Sequence, residues 1–275
     1  MTTSTETLQL SVLPTDAPVQ IHREGKEIRI QVPPDCQAAL FENYESQQAE
    51  AYYTETTLRA TLEENARLTH YKVVQEGVQS DHHSFLEVLV GRSASFQSHV
   101  FLLGGSRISQ TIQVRINGEG AECILNGLYL GTGEQVLETH TLIDHLQSHG
   151  TSRELYKGIL DQKSQGLFDG LIIVQKNAQK TDSIQTNKNL LLSSTARAKS
   201  NPELKILAND VKCKHGSTIG QIDPAQLFYL QSRGIGQSEA RRLLIYAFAG
   251  EMIARVEWAP LREKLDTLLL SQFHS

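Results

Sequence analysis

The sequence is poor in the residues that staple or metallate a small fold. It has three cysteines, Cys36, Cys123 and Cys213, spread over 275 residues. None belongs to a C-x-x-C pair, so neither a disulfide framework nor a structural zinc knuckle is expected. Basic residues number 26 against 31 acidic ones, a net charge of −5, which argues against a nucleic-acid binder. No run approaches the roughly 18 apolar residues that span a bilayer. The opening MTTSTETLQL lacks the basic segment and apolar core of a secretory signal. A cytoplasmic protein with no membrane association is therefore expected. Gly104-Gly105-Ser106 lacks the Lys-Ser/Thr of a phosphate loop, and Gly131-Thr132-Gly133 lacks a third glycine, so no ATP site is visible. No G-x-S-x-G elbow exists to support a serine hydrolase.

What the sequence does have is alternation. Residues 1–18 are Thr/Ser-rich, with Pro14 and Pro18, and are expected to form a flexible lead-in. From residue 19 to 222, apolar and polar residues alternate for five to eight positions and are then interrupted by Gly, Asn or Ser. Glu27-Ile28-Arg29-Ile30-Gln31-Val32 and Thr111-Ile112-Gln113-Val114-Arg115-Ile116 are examples. Such runs are strands buried on one side, with glycine expected to supply positive φ at the bends. No long helical patterns intervene, which argues against a doubly wound α/β fold. Even strand spacing suits a sandwich, a barrel or a solenoid, and composition does not choose among them.

The period changes over residues 223–275. Asp223-Pro224 opens a helix, with Asp as N-cap and Pro at its first position. A second helix is expected from about Ser238 to Glu257, with Leu243, Leu244, Ala247, Phe248, Met252 and Ile253 as its apolar stripe. Pro260 starts a third. These helices carry more apolar surface than a short hairpin buries by itself.

At the junction stands Val211-Lys212-Cys213-Lys214-His215-Gly216. On a strand, residues two apart share a face. Cys213 and His215 would lie side by side there, with Lys212 and Lys214 opposite. Neighbouring lysines favour a thiolate, and thiolate and neutral imidazole are both iron ligands. The blander reading makes Cys213 a small core residue and His215 a turn residue. His140, Asp144, His145 and His149 do not gather on one face of either a strand or a helix, and read as ordinary polar positions. Asp81-His82-His83 reads as a loop.

From Asn189 to Phe248 the chain carries, in order, Asn189-Leu190-Leu191-Leu192-Ser193, Pro202-Glu203-Leu204 and Asp210-Val211-Lys212-Cys213-Lys214-His215-Gly216. Gly220, Leu227-Phe228-Tyr229-Leu230, Ser232-Arg233-Gly234 and Ala240-Arg241 follow. In this order and spacing they resemble the SufB/SufD family of the SUF iron–sulfur cluster assembly machinery, and the Lys-Cys-x-His-Gly run places the likeness on the SufD side. A weaker likeness runs back to about Ile21, through Asn65-Ala66-Arg67-Leu68, the neighbourhood of Asp144-His145 and Phe168-Asp169-Gly170. Members of that family usually carry an N-terminal helical domain, whereas this sequence enters the strand pattern almost at once.

The resemblance implies a mainly β fold: a right-handed parallel β-helix over 19–222 and a C-terminal α-helical module over 223–275. It implies a non-catalytic scaffold that pairs with a SufB-like subunit or with itself. A SufC-like ATPase would dock on the helices, at Leu227, Phe228, Tyr229, Arg233, Arg241, Leu244 and Phe248. His215 would be an iron ligand at the subunit interface, with Cys213 a second candidate for the nascent cluster. No tightly bound cofactor is implied, only transient iron or a cluster. Clusters usually take four protein ligands, mostly thiolates, so ligation would be shared with a partner. Two other readings stand beside this one. A purely structural, homo-oligomeric β-helix needs no cluster chemistry. A carbohydrate-active β-helix enzyme needs clustered acids or a Ca²⁺ site, and adjacent acids such as Glu63-Glu64 would point to opposite faces of a strand.

Overall fold

A computed structural model describes residues 8–13, 20–46 and 50–272. The strands are β1 (Leu8–Leu13), β2 (Gln20–Glu24), β3 (Glu27–Val32), β4 (Gln37–Glu45), β5 (Tyr52–Leu62), β6 (Arg67–Gln75), β7 (Ser80–Val90) and β8 (Ser95–Leu102). They continue as β9 (Arg107–Ile116), β10 (Glu122–Gly131), β11 (Val136–His145), β12 (Thr151–Leu160), β13 (Gln165–Val174), β14 (Asp182–Leu191), β15 (Arg197–Ile206) and β16 (Lys212–Gly220). Three helices follow: α1 (Pro224–Ser232), α2 (Gln237–Ile253) and α3 (Ala259–Gln272).

The strands form two sheets, ordered β1-β4-β6-β8-β10-β12-β14-β16 and β15-β13-β11-β9-β7-β5-β3-β2. Neighbours within a sheet are alternate strands of the chain and run parallel from β3 onward. Each turn of chain thus adds one strand to each sheet. The result is a parallel β-solenoid of about 7 turns, which decides among the three architectures left open by the pattern. The first strands depart from it. β2 pairs antiparallel with β3 across a turn containing Gly25, and β1 pairs antiparallel with β4. Within the expected lead-in, Leu8–Leu13 is therefore a strand, and the remainder of 1–18 lies outside the described residues.

The two sheets differ in their outer faces, and the sequence pattern follows. The second sheet alternates cleanly: in β9, Ile112 and Val114 are buried, while Gln113 and Arg115 point outward. The first sheet is buried on both faces in its middle strands, as in β10, because α2 and α3 lie against it. Ile245, Ala249, Met252, Ile253, Leu261, Leu265 and Leu269 form one cluster with Tyr71, Val73, Phe101, Leu128, Leu130 and Ile159. Strands covered on both faces lose their alternation and become continuous apolar runs. Lys157 fixes the joint: its Nζ donates to Phe248 O at 2.8 Å and lies 2.5 Å from Glu251 Oε2.

Two expectations are corrected here. The buried stripe of α2 is Ala240, Ile245, Ala249, Met252 and Ile253, whereas Leu243 and Ala247 are exposed. The helix lies along a sheet, and that contact selects a face rotated from the one the hydrophobic residues alone suggest. Glycine also supplies only some of the left-handed bends. Asp35, Asn65, Ser93, His149 and Lys180 adopt positive φ, as does Gly120. Each of these six donates its N–H to a carbonyl of the next coil, so the stacked turns hold a conformation that side-chain-bearing residues otherwise adopt at some cost.

Candidate functional site

The solenoid ends on β15 and β16, the edge strands of the two sheets. Helices α2 and α3 cover the outer face of the first sheet and leave this end open. Apart from half-buried Cys213, every residue of β16 is exposed. A strand edge with free N–H and C=O groups is a ready template for pairing.

Cys213 and His215 stand on this edge. β16 is a strand, as the two-residue spacing requires, and Lys212 and Lys214 are exposed. Cys213 is in register with Ser183, which is in register with Ser152. Behind the thiol, Ser183 Oγ and Ser152 Oγ lie 2.6 Å apart, and Ser152 Oγ lies 2.9 Å from His145 Nε2. His215 is in register with Gln185, and Gln185 with Glu154. Gln185 Nε2 donates to Glu154 Oε2 at 2.7 Å. The inward face of β14 is thus Ser183, Gln185, Asn187 and Asn189, all buried and all polar. Two more bonds knit this interior: Tyr129 OH donates to Asn189 Oδ1 at 2.5 Å, and Asn187 Nδ2 donates to Tyr156 O at 3.2 Å.

The electrostatics correct one expectation. The lysines beside Cys213 do not produce a low-pKa thiol. Burial raises its pKa; a backbone hydrogen bond from Ser183 works against that, and the charge of Asp182 adds to it. Both lysine side chains project into solvent, where their field is screened, while the sulfur packs on the core. Glu154, wholly buried, is pushed up to about 7 by desolvation, with Thr141 and Gln185 opposing. Burial holds His145 at about 4, so it is a neutral imidazole at ordinary pH.

Among the described residues, no three His, Cys, Asp or Glu side chains converge to hold a metal ion. Cys213 and His215 offer two donors of suitable softness, and the rest of any ligand set has to come from outside this chain. The other histidines resolve into separate roles. His140 lies 3.7 Å from Asp169 on the outer face, Asp144 accepts from Gln175 at 2.9 Å, His145 points inward, and His149 occupies a turn.

The expected docking residues divide by exposure. Phe228 and Tyr229 are 72% and 58% exposed, and α1 buries no residue. Asp223 Oδ1 caps that helix by accepting Ala225 N–H at 2.9 Å, and Arg233 lies over the Tyr229 ring. Leu227 and Leu244 are half-buried. Phe248 is turned toward the sheet, under the Lys157 ammonium. Arg241 donates to Leu192 O at 2.6 Å, at the rim of a cleft of about 330 Å³ lined also by Asp161, Arg242 and Ile245.

A buried network near the start of the solenoid went unread in the sequence. His82 lies on β7, in a strand rather than a loop, and is fully buried with Nδ1 3.2 Å from Glu76 Oε2. His70 Nε2 lies 2.7 Å from Glu42 Oε1, and Lys72 packs over the Tyr44 ring. Glu42 is lowered to about 2: burial opposes ionisation, but the His70 hydrogen bond and the Lys72 charge outweigh it. Polar residues at inward positions, as in Leu68-Thr69-His70-Tyr71-Lys72, were the available signal.

A family model described as "SUF system FeS cluster assembly, SufBD core domain" matches residues 20–248. The chain belongs to this SufBD family. It is 36% identical over 230 residues to the iron–sulfur cluster assembly protein SufD of Escherichia coli, covering 84% of this chain and 54% of that protein. It is 35% identical over 218 residues to a SufBD family iron–sulfur cluster assembly protein of Synechocystis, covering 79% and 48%. With SufD of Bacillus subtilis it shares 29% over 180 residues, covering 65% and 41%. The chain spans about half the length of these relatives. Among the described residues, no helix is long and apolar enough to cross a membrane.

Proposed function

We propose that this chain is a non-catalytic scaffold subunit of a SUF iron–sulfur cluster assembly complex, acting in the cytoplasm. Its open last coil pairs with a SufB-like subunit or a second copy of itself. His215, with Cys213 beside it, contributes to a site where iron or a nascent cluster is held as substrate, shared with the partner. The exposed face of α1 and the start of α2 bind a SufC-like ATPase. Phe228, Tyr229 and Arg233 are the first contacts, followed by Leu227, Arg241 and Leu244. Phe248 supports this surface from beneath through its contact with Lys157.

The observation that carries this reading is the position of His215: an exposed imidazole on an edge strand that pairs on one side only, at an end of the solenoid that no other described residues cover. Two donors on an edge suit a site completed by a second subunit. Family membership supports the assembly role. The test is co-purification of the tagged chain with its partners, followed by iron loading and cluster yield in the complex carrying His215→Ala. Recovery of the ATPase, with cluster yield lost in the variant, is expected. A homo-oligomer without an ATPase removes the docking role. Unchanged cluster yield removes the chemical role of His215.

A further inference from the structure

Behind His215 the inward face of the first sheet is polar for two coils, which packing alone does not require. Gln185 is the register partner of His215, and Glu154 that of Gln185. Side chains on the same face of paired parallel strands are neighbours, because the strands lie about 4.8 Å apart. Gln185 is fully buried, and its Nε2 is held at 2.7 Å by Glu154 Oε2. Among the described residues Gln185 Oε1 has no hydrogen-bond partner. A buried amide oxygen left unpaired is costly and marks a missing donor. With the amide nitrogen committed to Glu154, the oxygen is presented away from that carboxylate. A histidine that binds metal through one ring nitrogen characteristically donates its other N–H to a carbonyl or carboxylate, which fixes tautomer and ring orientation.

We propose that Gln185 and Glu154 are positioning residues for His215: Gln185 Oε1 accepts a ring N–H of His215, and Glu154 fixes that oxygen toward the last coil by holding the amide nitrogen. The remaining ring nitrogen then keeps its lone pair for a borderline divalent cation such as ferrous iron. The proposal rests on the reading of His215 as the functional side chain of the open coil, and its test does not use cluster assembly.

The experiment is long-range ¹H–¹⁵N correlation on the full chain labelled at histidine. It is run at pH 8, above the value of about 7 to which burial raises Glu154. The groups facing that carboxyl are Thr141 of β11, Gln185 of β14, Cys123 of β10 and Tyr156 of its own strand. Wild type is expected to show His215 as one neutral tautomer with well-separated ring nitrogen shifts. Gln185→Leu moves the two shifts together, as for an averaged mixture, and Gln185→Glu, which keeps an acceptor, restores the separation. Glu154→Gln, which frees the amide to turn over, moves the shifts in the same direction as Gln185→Leu. If Gln185→Leu fails to fold, wild type and Glu154→Gln decide the matter. An averaged His215 in wild type overturns the proposal. So does a single tautomer that persists in folded Gln185→Leu or in Glu154→Gln. A His215→Ala complex that assembles clusters normally would remove the role of His215 and leave the tautomer result standing.

Discussion

Gly127 and Tyr156 are register partners on β10 and β12, and the Tyr156 ring fills the space that a Cβ on Gly127 would occupy. The relation is reciprocated two residues on: Gly158 makes room for Tyr129, its own register partner. Each coil thus inserts one ring over a glycine of its neighbour, which lets two fully buried tyrosines fit inside the solenoid. Gly127→Ala forces Tyr156 off its rotamer or the strands apart. Over-packing of this kind costs about 1–3 kcal/mol, so the urea midpoint should fall with the m-value unchanged. A Gly127→Ala chain as stable as wild type would mean that the ring moves freely.

Glu154 has a stability signature of known sign. Its folded-state carboxyl titrates at about 7 instead of 4.5, first because it is buried. The folded state therefore holds a proton that the unfolded chain has already released. Its contribution is intact below pH 4.5 and is lost as pH rises through 7. The difference corresponds to about 3 kcal/mol. Glu154→Gln removes the ionisation. The variant should gain stability over wild type between pH 5 and 8, as measured by chemical denaturation at both values. A gap that does not change with pH would show that the carboxyl is solvated.

Three buried histidines act in the opposite direction. His82, His99 and His145 are each held at about 4 by burial; the charge of Lys72 adds to the effect at His82, and those of His70 and Arg255 at His99. As pH falls from 6.5 to 4, the unfolded chain takes up protons that these imidazoles refuse. Stability present above 6.5 is lost across that window, by up to about 3 kcal/mol for each group. NMR titration should show these three still neutral at pH 5. Early protonation of His145 would mean that water reaches the Ser152–Ser183 seam.

The repeating strands were legible because one face of the second sheet meets water, so Ile112-Gln113-Val114-Arg115 carries its own burial pattern. The solenoid arrangement was not, since the same alternation serves a sandwich or a barrel, and the family likeness made that choice. The face of α2 was misjudged because Leu243 is left in solvent while Ile245 meets the sheet. Spacing put Cys213 and His215 on one face of a strand. It gave no sign that this strand ends the solenoid, nor that Ser183, Gln185 and Glu154 stack behind it. Those residues lie about 30 positions upstream per coil, a separation visible only once the coil length is known. His82 was missed for a related reason: its partner Glu76 lies across a bend, and a polar residue in an inward position looks like a loop until the strand is seen.

Phe228 tests the docking surface with little structural ambiguity. Its ring is 72% exposed on a helix that buries none of its residues, so Phe228→Ala removes almost no internal contact, and the thermal midpoint should stay within experimental error. If α1 receives the ATPase, the same substitution deletes an aromatic anchor. Truncating such a residue at the centre of an interface typically costs 2 kcal/mol or more, about a 30-fold weakening. Tyr229→Ala should behave alike, with a smaller effect because its ring already engages Arg233. Leu265→Ala supplies the contrast: that side chain is buried between α3 and the first sheet, and its loss should cost about 2–5 kcal/mol of stability while leaving the exposed face of α1 chemically intact. Calorimetric titration of the ATPase against the three variants separates the cases. Full affinity in Phe228→Ala and Tyr229→Ala would move the docking surface off α1, to the Arg241 rim of the neighbouring cleft.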